Sequence, residues 1–292
     1  APHYFPGIQA LRGLAAISVM LHHLDVMVNK EKYFGTELWI GLVAHGYRGV
    51  DLFFVISGFI MMLLAEKTAR MRGVNTFIRA RIIRIYVPYL SIFFALTLAY
   101  LAVPNITQSE YQLTLPGFLQ NLFLIPREDL KTYVPVVAWT LSYEMMFYLI
   151  FSLIVLNAKR FFALFVLWQG ICLYSLLNHG SLNSAVSILF DHYNLAFGVG
   201  VATYLLHNKI RKTLPNVVFA IGIVLYAALL YAAPPRLESV VYELFILLAF
   251  GALIGMCAKH KNTALEWIGN ISYSLYLTHY PVIAAIFIFA FK

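Results

Sequence analysis

The stretch IQALRGLAAISVMLHHLDVMV, residues 8–28, is apolar over the length that one passage across a lipid bilayer requires. A spanning helix needs about 20 mostly apolar residues. Arg12, His22 and His23 stand inside this stretch, although an ionisable side chain in hydrocarbon is energetically unfavourable and usually has a functional reason. The stretch therefore predicts a membrane helix that carries part of a functional site.

The composition of the whole chain has the same character. It is 61% hydrophobic and 12% charged, whereas about a quarter of a soluble domain is charged. We predict an all-α polytopic integral membrane protein, a bundle of about nine or ten transmembrane helices around a central polar cavity. Residues 1–292 would form one domain with no extramembrane domain. The net charge of +8 comes mainly from loops between spans, so it does not indicate nucleic acid.

Apolar segments of sufficient length recur along the chain. We place spans near 8–28, 50–66, 82–103, 135–157, 161–178, 186–206, 215–233, 239–258 and 266–290. Residues 113–126 are apolar but short and bounded by proline, which favours an interfacial or re-entrant helix; a crossing there would raise the count to ten.

The basic residues of the loops predict an orientation. Most of them fall on one side, including the segment 67–84, and lysine and arginine are enriched in cytoplasmic loops. We therefore expect a multi-pass protein of the cell's inner (plasma) membrane with a cytoplasmic N-terminus. His23 would then lie roughly 16 Å deeper than Arg12 on nearly the same helical face, because the intervening residues make about three turns.

Further ionisable residues fall at comparable depth in other spans. Glu144 lies well inside the span that contains WTLSYEMMFY, residues 139–148, and Asp51 begins the second span. Asp191 and His192 lie in the outer part of the sixth predicted span, and His279 in the outer half of the last. Scattered structural residues would have no reason to share a depth, so we expect one polar cavity that opens outward.

Five short motifs occur in order along the chain and together carry a family resemblance. They are Arg12-x10-His23, Gly49-Val-Asp51-Leu-Phe-Phe, Arg79-x-Arg81-x-x-Arg84, Trp139-Thr-Leu-Ser-Tyr-Glu144 and Ser272-Tyr-Ser-Leu-Tyr276-Leu-Thr-His279. This series resembles the membrane acyltransferase-3 family, which O-acylates cell-surface carbohydrates, and the fourth motif looks most like that of its exopolysaccharide O-acetyltransferases. The resemblance extends from about residue 5 to residue 283.

The chain departs from the family pattern at two places. Many members have a second acidic residue where this chain has Met145, so no paired-carboxylate mechanism is expected. Many members also carry a hydrolase-like domain after the last span, where this sequence ends at Lys292. We expect the protein either to act alone or to use a partner, such as another polysaccharide-biosynthesis protein.

The resemblance implies a donor and an acceptor. The donor would be cytoplasmic acyl-CoA, simplest as acetyl-CoA, the acceptor a carbohydrate or glycolipid, and no metal would be needed. Arg12 would be essential in such a family, and it joins the arginines that could bind the phosphates of coenzyme A: Arg79, Arg81 and Arg84. Snorkelling of Arg12 and the positive-inside bias explain these arginines equally simply.

His23 is the candidate catalytic base, because transfer from a thioester to a hydroxyl needs a base and imidazole has a suitable pKa. The alternative for His23 is a packing hydrogen bond. For His22 we expect helix packing or solvation at the outer end of the helix. Glu144 could orient His23 or relay its proton, or it could make a hydrogen bond in helix packing. Asp51 is a second candidate partner of His23, or is merely solvated. The candidates for binding substrate are Ser142, Tyr148, Tyr276 and His279, of which the last two equally suit an aromatic belt.

The leading hypothesis is a membrane O-acyltransferase with His23 as base. A proton-coupled transporter or flippase of a glycan or small solute could use the same buried histidine and glutamate, but the halves of the chain lack the symmetry typical of many transporters. A non-catalytic scaffold would leave the ionisable cluster unexplained. The acceptor, the acyl chain, the oligomeric state and the choice between a covalent acyl-histidine and direct transfer stay open.

Overall fold

The structure is a computed structural model that describes residues 5–35, 43–71, 73–102, 114–126, 132–178, 187–210 and 240–290. Regular structure in these ranges is helical throughout, without a strand, which confirms the all-α class. The helices are α1 (Pro6–Val28), α2 (Gly49–Met71), α3 (Gly73–Ala102), α4 (Leu115–Leu122), α5 (Trp139–Leu156), α6 (Ala158–Leu177), α7 (Ser187–Phe190), α8 (Tyr193–Ile210), α9 (Val240–Cys257) and α10 (Thr263–Ala290). Single 3-10 turns, Gly46–Arg48 and Val136–Ala138, lead into α2 and α5.

Five helical segments of the described residues are long and apolar enough to cross a membrane. They are Pro6–Val28, Gly46–Glu66, Gly73–Ala102, Val136–Leu156 and Thr263–Ala290, and shorter apolar helices cover Phe162–Leu177 and Glu243–Cys257. Large apolar side chains such as Leu98 and Phe289 are exposed on these helices, as expected where the solvent is lipid. The protein is therefore an integral membrane protein, while the total of nine or ten spans and the central cavity stay predictions.

The predicted boundary at residue 82 is wrong for α3. This helix begins at Gly73, and α2 reaches Met71, so Arg79, Arg81 and Arg84 lie on a helix rather than in a connecting loop. Hydropathy marks only the part of a helix that lies in lipid. The residues at the start of α3 include arginine and isoleucine, which are compatible with a helix, so the helix extends beyond the apolar part.

Two other predicted segments differ from single spans. The predicted span 186–206 falls on two helices, α7 and α8, with Asp191 and His192 at the break between them rather than inside a helix. Within residues 113–126, α4 has eight residues and begins with a Thr114 hydroxyl that accepts from the Gly117 N–H at 3.2 Å. Eight residues cover about 12 Å, so α4 is too short to cross a bilayer. The predicted span 215–233 lies outside the described residues.

The chain divides into two compact units, 1–63 with 192–273 and 64–191 with 274–292. In the first unit, glycines bring α2 and α8 into backbone contact. A Cβ on Gly58 would lie 2.1 Å from the Phe197 carbonyl oxygen, and one on Gly200 would lie 2.0 Å from the Val55 carbonyl oxygen. Small residues permit this approach between membrane helices.

In the second unit, the buried Asn121 joins the end of α4 to the segment before α5. Its side-chain oxygen accepts from the Val134 N–H at 2.8 Å, and its amide nitrogen donates to the Thr132 carbonyl at 3.2 Å. The Tyr89 hydroxyl of α3 donates to the Asn121 carbonyl at 2.7 Å. These bonds fix the chain that leads into α5, which carries Glu144.

Candidate functional site

The second unit brings several predicted site residues together on α3 and α5. Glu144 and Tyr148 stand one turn apart on α5, and the Tyr148 hydroxyl donates to a Glu144 carboxylate oxygen. The guanidinium carbon of Arg81, on α3, lies 5.9 Å from the centre of the buried Tyr148 ring. Arg84 is near enough to act electrostatically on Tyr148. A carboxylate, a phenol and a guanidinium therefore form one cluster inside membrane helices.

The three arginines of the α3 motif differ in their surroundings. Arg81 is half-buried, whereas Arg79 and Arg84 are exposed. Arg81 and Arg84 are three residues apart and share a helical face, and Arg79 points elsewhere on the helix. The Nε atom of Arg81 is buried and has no hydrogen-bond partner among the described residues. Because buried donors are normally paired, this atom is available to a ligand.

Ser142 and Tyr276 are bonded to the start of α5 and its preceding segment. The buried Ser142 hydroxyl donates to the Leu124 carbonyl at 2.9 Å. The Tyr276 hydroxyl donates to the Val137 carbonyl at 3.3 Å and lies 3.2 Å from the Thr140 hydroxyl. These bonds give both side chains a structural role, and their predicted contact with substrate stays a prediction.

His279 lies one turn from Tyr276 on α10, and the centres of the two rings are 5.7 Å apart. Its Nδ1 lies 3.2 Å from the Leu275 carbonyl oxygen of the same helix. Both Tyr276 and His279 are buried, so the alternative of an exposed aromatic belt does not describe them.

An apolar pocket of about 120 Å³ lies in the second unit, where α3 ends, α5 begins and α10 continues after His279. Its lining includes Leu96, Pro135, Val136, Tyr280 and Ala284. Such walls suit a hydrocarbon chain better than a nucleotide or a sugar.

The first unit carries the predicted base. His23 is half-buried near the C-terminal end of α1, and its ring centre lies 5.5 Å from that of His22. His22 Nδ1 lies 3.3 Å from the Val43 carbonyl oxygen. His22 thus holds the segment before α2 against α1, in keeping with the expected packing role, while the role of His23 stays a prediction.

Asp51 belongs to a buried ion network that the sequence reasoning missed. Asp51 is 2% exposed, so the expectation of a merely solvated carboxylate is wrong. Its Oδ2 lies 3.2 Å from Arg48 Nη1, and Arg48 donates to both carboxylate oxygens of Glu243 at 2.6 and 2.5 Å. Asp51 Oδ1 is buried without a hydrogen-bond partner among the described residues. The one feature of the sequence that could have indicated this network is Glu243, a single carboxylate at the start of an apolar span.

Arg12 is buried in α1, and its Nη1 donates to the Gln9 side chain one turn away at 3.0 Å. Its burial leaves little of the side chain for snorkelling to headgroups. Arg12, His23 and Asp51 lie in the first unit, whereas Glu144 and the α3 arginines lie in the second. The predicted relay from Glu144 to His23 therefore stays a prediction. Among the described residues, no group of three or more His, Cys, Asp or Glu could hold a metal ion.

These features define a class: a helical membrane protein with arginines, carboxylates and histidines buried within its apolar helices. A family model described as an acyltransferase domain, acyltransferase 3, matches residues 5–292. The chain belongs to this acyltransferase family.

Curated relatives of this chain include Staphylococcus aureus proteins. The chain is 26% identical over 326 residues to a protein of strain COL that is provisionally named an O-acetyltransferase, with 96% of this chain and 51% of that protein covered. It is 25% identical over 327 residues to the O-acetyltransferase OatA of strain NCTC 8325, with 97% and 51% covered. The chain thus spans about half the length of these relatives. No solved structure matches it.

Proposed function

We propose that the protein is a membrane O-acyltransferase that moves an acyl group, simplest as acetyl, from cytoplasmic acyl-CoA to a hydroxyl of a cell-surface or exported carbohydrate. The observation that carries the proposal is the cluster of Arg81, Tyr148 and Glu144 in a chain of the acyltransferase family. The names of the relatives support O-acetyl transfer.

Two of the α3 arginines, Arg81 and Arg84, suit the phosphates of coenzyme A. Arg81 and Arg84 carry two positive charges beside the single negative charge of Glu144, so the cluster has a net charge of +1. Guanidinium groups bind phosphate oxygens through paired N–H donors, and the partial burial of Arg81 strengthens such bonds at that residue. Tyr148 and Glu144 position the Arg81 side chain and do not compete with a phosphate for it. Arg12 of the first unit is a separate candidate for binding the donor, acyl-CoA.

The transfer step needs one base. His23 takes the proton of the acceptor hydroxyl while that oxygen attacks the thioester carbonyl. The new ester C–O bond forms, the C–S bond breaks, and the departing thiolate of coenzyme A takes the proton from His23. Electrons and protons balance without a metal or a redox partner. An imidazole suits both halves of this exchange at neutral pH because its pKa lies close by.

The orientation follows from the basic segment 67–84. With that segment in the cytoplasm, the start of α3 faces the compartment that holds acyl-CoA. We propose the inner (plasma) membrane on this ground. An acceptor that is exported would arrive from the other side, supplied by a polysaccharide-biosynthesis partner.

The test is a thermal-stability titration of the purified protein in lipid nanodiscs with coenzyme A and acetyl-CoA. A ligand at 100 times its Kd stabilises the native state by about 2.7 kcal/mol, which gives a concentration-dependent rise in melting temperature. We expect this rise in the wild type and in Arg79→Ala, the matched control on the same helix. We expect it to be weakened in Arg81→Ala and Arg84→Ala.

Two outcomes contradict the proposal. No shift at millimolar coenzyme A, in protein that is folded, would remove the donor and leave the proton-coupled transporter as the hypothesis to test. An equal loss in Arg79→Ala would show a general electrostatic effect rather than a site at Arg81.

A further inference from the structure

The segment before α2 is held rigidly against α1. A Cβ on Gly46 would lie 2.3 Å from the Ser18 carbonyl oxygen, and one on Gly49 would lie 2.5 Å from the Ala15 carbonyl oxygen. Backbone packed this closely leaves no room for the segment to shift. His22 adds its contact with the Val43 carbonyl oxygen at 3.3 Å. The whole segment 43–49 is thus fixed beside the end of α1 that carries His23.

Tyr47 is the residue that this segment presents. Tyr47 is 41% exposed, and three side chains lie beside its ring. The ring centre lies 5.4 Å from that of His22, 5.9 Å from that of His45, and 5.1 Å from the guanidinium carbon of Arg48. Arg48 is in turn fixed by both oxygens of Glu243. An exposed aromatic ring is therefore pre-organised by buried ionic contacts.

The distances place this ring close to the proposed base. The centres of His22 and His23 are 5.5 Å apart, so the two steps from Tyr47 through His22 limit the separation of Tyr47 and His23 to about 11 Å. One pyranose ring with its hydroxyls bridges most of that distance.

We infer that Tyr47 is a stacking platform for a sugar ring of the acceptor, which it presents to His23; the inference rests on the proposed function. One face of a pyranose is a layer of C–H bonds, and such a face packs on the electron-rich face of an aromatic ring. The imidazoles of His22 and His45 flank the ring and can exchange hydrogen bonds with sugar hydroxyls.

The charges around the platform narrow the ligand. Arg48 is a cation beside the ring, and its two Nη atoms are already paired with the carboxylates of Asp51 and Glu243. A negatively charged sugar would have to compete with these carboxylates for Arg48, so its charge would gain little there. The ligand class is therefore a neutral sugar.

The competing role for Tyr47 is that of an interfacial anchor, because tyrosine is enriched where membrane helices meet water. An anchor affects stability and insertion but not the KM for a soluble acceptor. The kinetic constants of the acceptor therefore separate the two roles.

The experiment uses the full chain in lipid nanodiscs, because the sugar headgroups of alkyl-glycoside detergents would compete for the platform. Transfer of radiolabelled acetyl from acetyl-CoA is measured with three neutral tetrasaccharides, chitotetraose, maltotetraose and cellotetraose, and their binding is followed by saturation-transfer NMR. The variants are Tyr47→Ala, Tyr47→Phe and Tyr47→Trp. Phe34→Ala is the matched control, since Phe34 is an exposed aromatic residue, 56% accessible, in the turn that follows α1.

We expect Tyr47→Ala to raise the acceptor KM about three- to tenfold, the size of one aromatic stacking contact. The effect of coenzyme A on melting temperature should not change. Tyr47→Phe, Tyr47→Trp and Phe34→Ala should stay within about twofold of the wild type.

Each other result has a definite meaning. Acetyl transfer that is indifferent to Tyr47→Ala would overturn the platform and leave the proposed function intact. Wild-type protein that binds coenzyme A but neither binds nor acetylates any of the three tetrasaccharides would overturn the neutral-sugar assignment. Protein that fails to bind coenzyme A at all would instead overturn the proposed function.

Discussion

Removing Arg48 or Glu243 tests how far the buried ion network stabilises the first unit. Arg48 bonds to both carboxylate oxygens of Glu243 at 2.5 and 2.6 Å, and to Asp51 Oδ2 at 3.2 Å. Breaking a buried ion pair by removing one partner costs about 3–5 kcal/mol, because the other charge is left unpaired. The Arg48 and Glu243 side chains are 11% and 18% exposed, so solvent reduces the cost of leaving either of these two charges unpaired.

The geometry predicts an order of effects. Arg48→Ala leaves two carboxylates, one of them almost fully buried, without their cation, and we expect a loss of about 4 kcal/mol in the free energy of unfolding. Glu243→Ala leaves Arg48 paired with Asp51, so the residual charge is neutralised. We expect a smaller loss of about 2 kcal/mol.

The assay is equilibrium unfolding with sodium dodecyl sulfate in mixed micelles, followed by tryptophan fluorescence. Glu31→Ala, in the exposed loop after α1, is the control and should change the free energy of unfolding by less than about 0.5 kcal/mol. A Glu243→Ala loss equal to or greater than that of Arg48→Ala would refute the reasoning, because Asp51 would then not act as the second partner of Arg48.

Three further predictions follow from other parts of the structure. Gly58→Ala places a methyl group 2.1 Å from a backbone carbonyl oxygen and should lower the free energy of unfolding by more than about 2 kcal/mol. Gly170→Ala, with nothing within 4 Å of the added methyl group, should be neutral or stabilising by up to about 1 kcal/mol. The same unfolding assay checks both, and equal effects would contradict the close approach. Tyr148→Phe removes the hydroxyl that donates to Glu144 and should lower kcat/KM for acetyl-CoA about tenfold in a folded protein. The reason is that a hydrogen bond to a charged group contributes about 1.5–3 kcal/mol. An unchanged kcat/KM would show that this hydrogen bond plays no part. His23→Gln should reduce kcat by at least about 100-fold while the thermal shift with coenzyme A is retained, and a variant that still transfers acetyl at the wild-type rate would exclude His23 as the base.

The boundaries of the apolar helices were predictable within a few residues because hydropathy is a local property. The predicted span 8–28 corresponds to α1, and 239–258 corresponds to α9. The prediction failed where polar residues continue a helix, as at the start of α3, or interrupt one, as at Asp191. Hydropathy reports the position of lipid, whereas the ends of helices depend on backbone hydrogen bonding.

The candidate site was only partly predictable. Glu144 could be selected because ionisable groups in apolar spans are rare, and Arg81 and Tyr148 could be selected because they lie in or beside motifs that carry the family resemblance. Their assembly into one cluster could not be, since it requires that α3 and α5 pack with these faces together. Nothing in the sequence singled out Tyr47, because tyrosine is common where membrane spans meet water.

The amino-acid sequence by itself determined that this chain spans a membrane, that it is helical, and which motifs place it in its family. These properties follow from local composition, because hydrocarbon excludes polar backbone and unpaired charge wherever a long apolar stretch occurs. The tertiary structure alone decided that Arg48 pairs with Glu243, 195 residues away in the chain, and that Asp51 is buried beside them. Such contacts depend on which helix faces meet, and that is set by packing between distant segments rather than by any one of them.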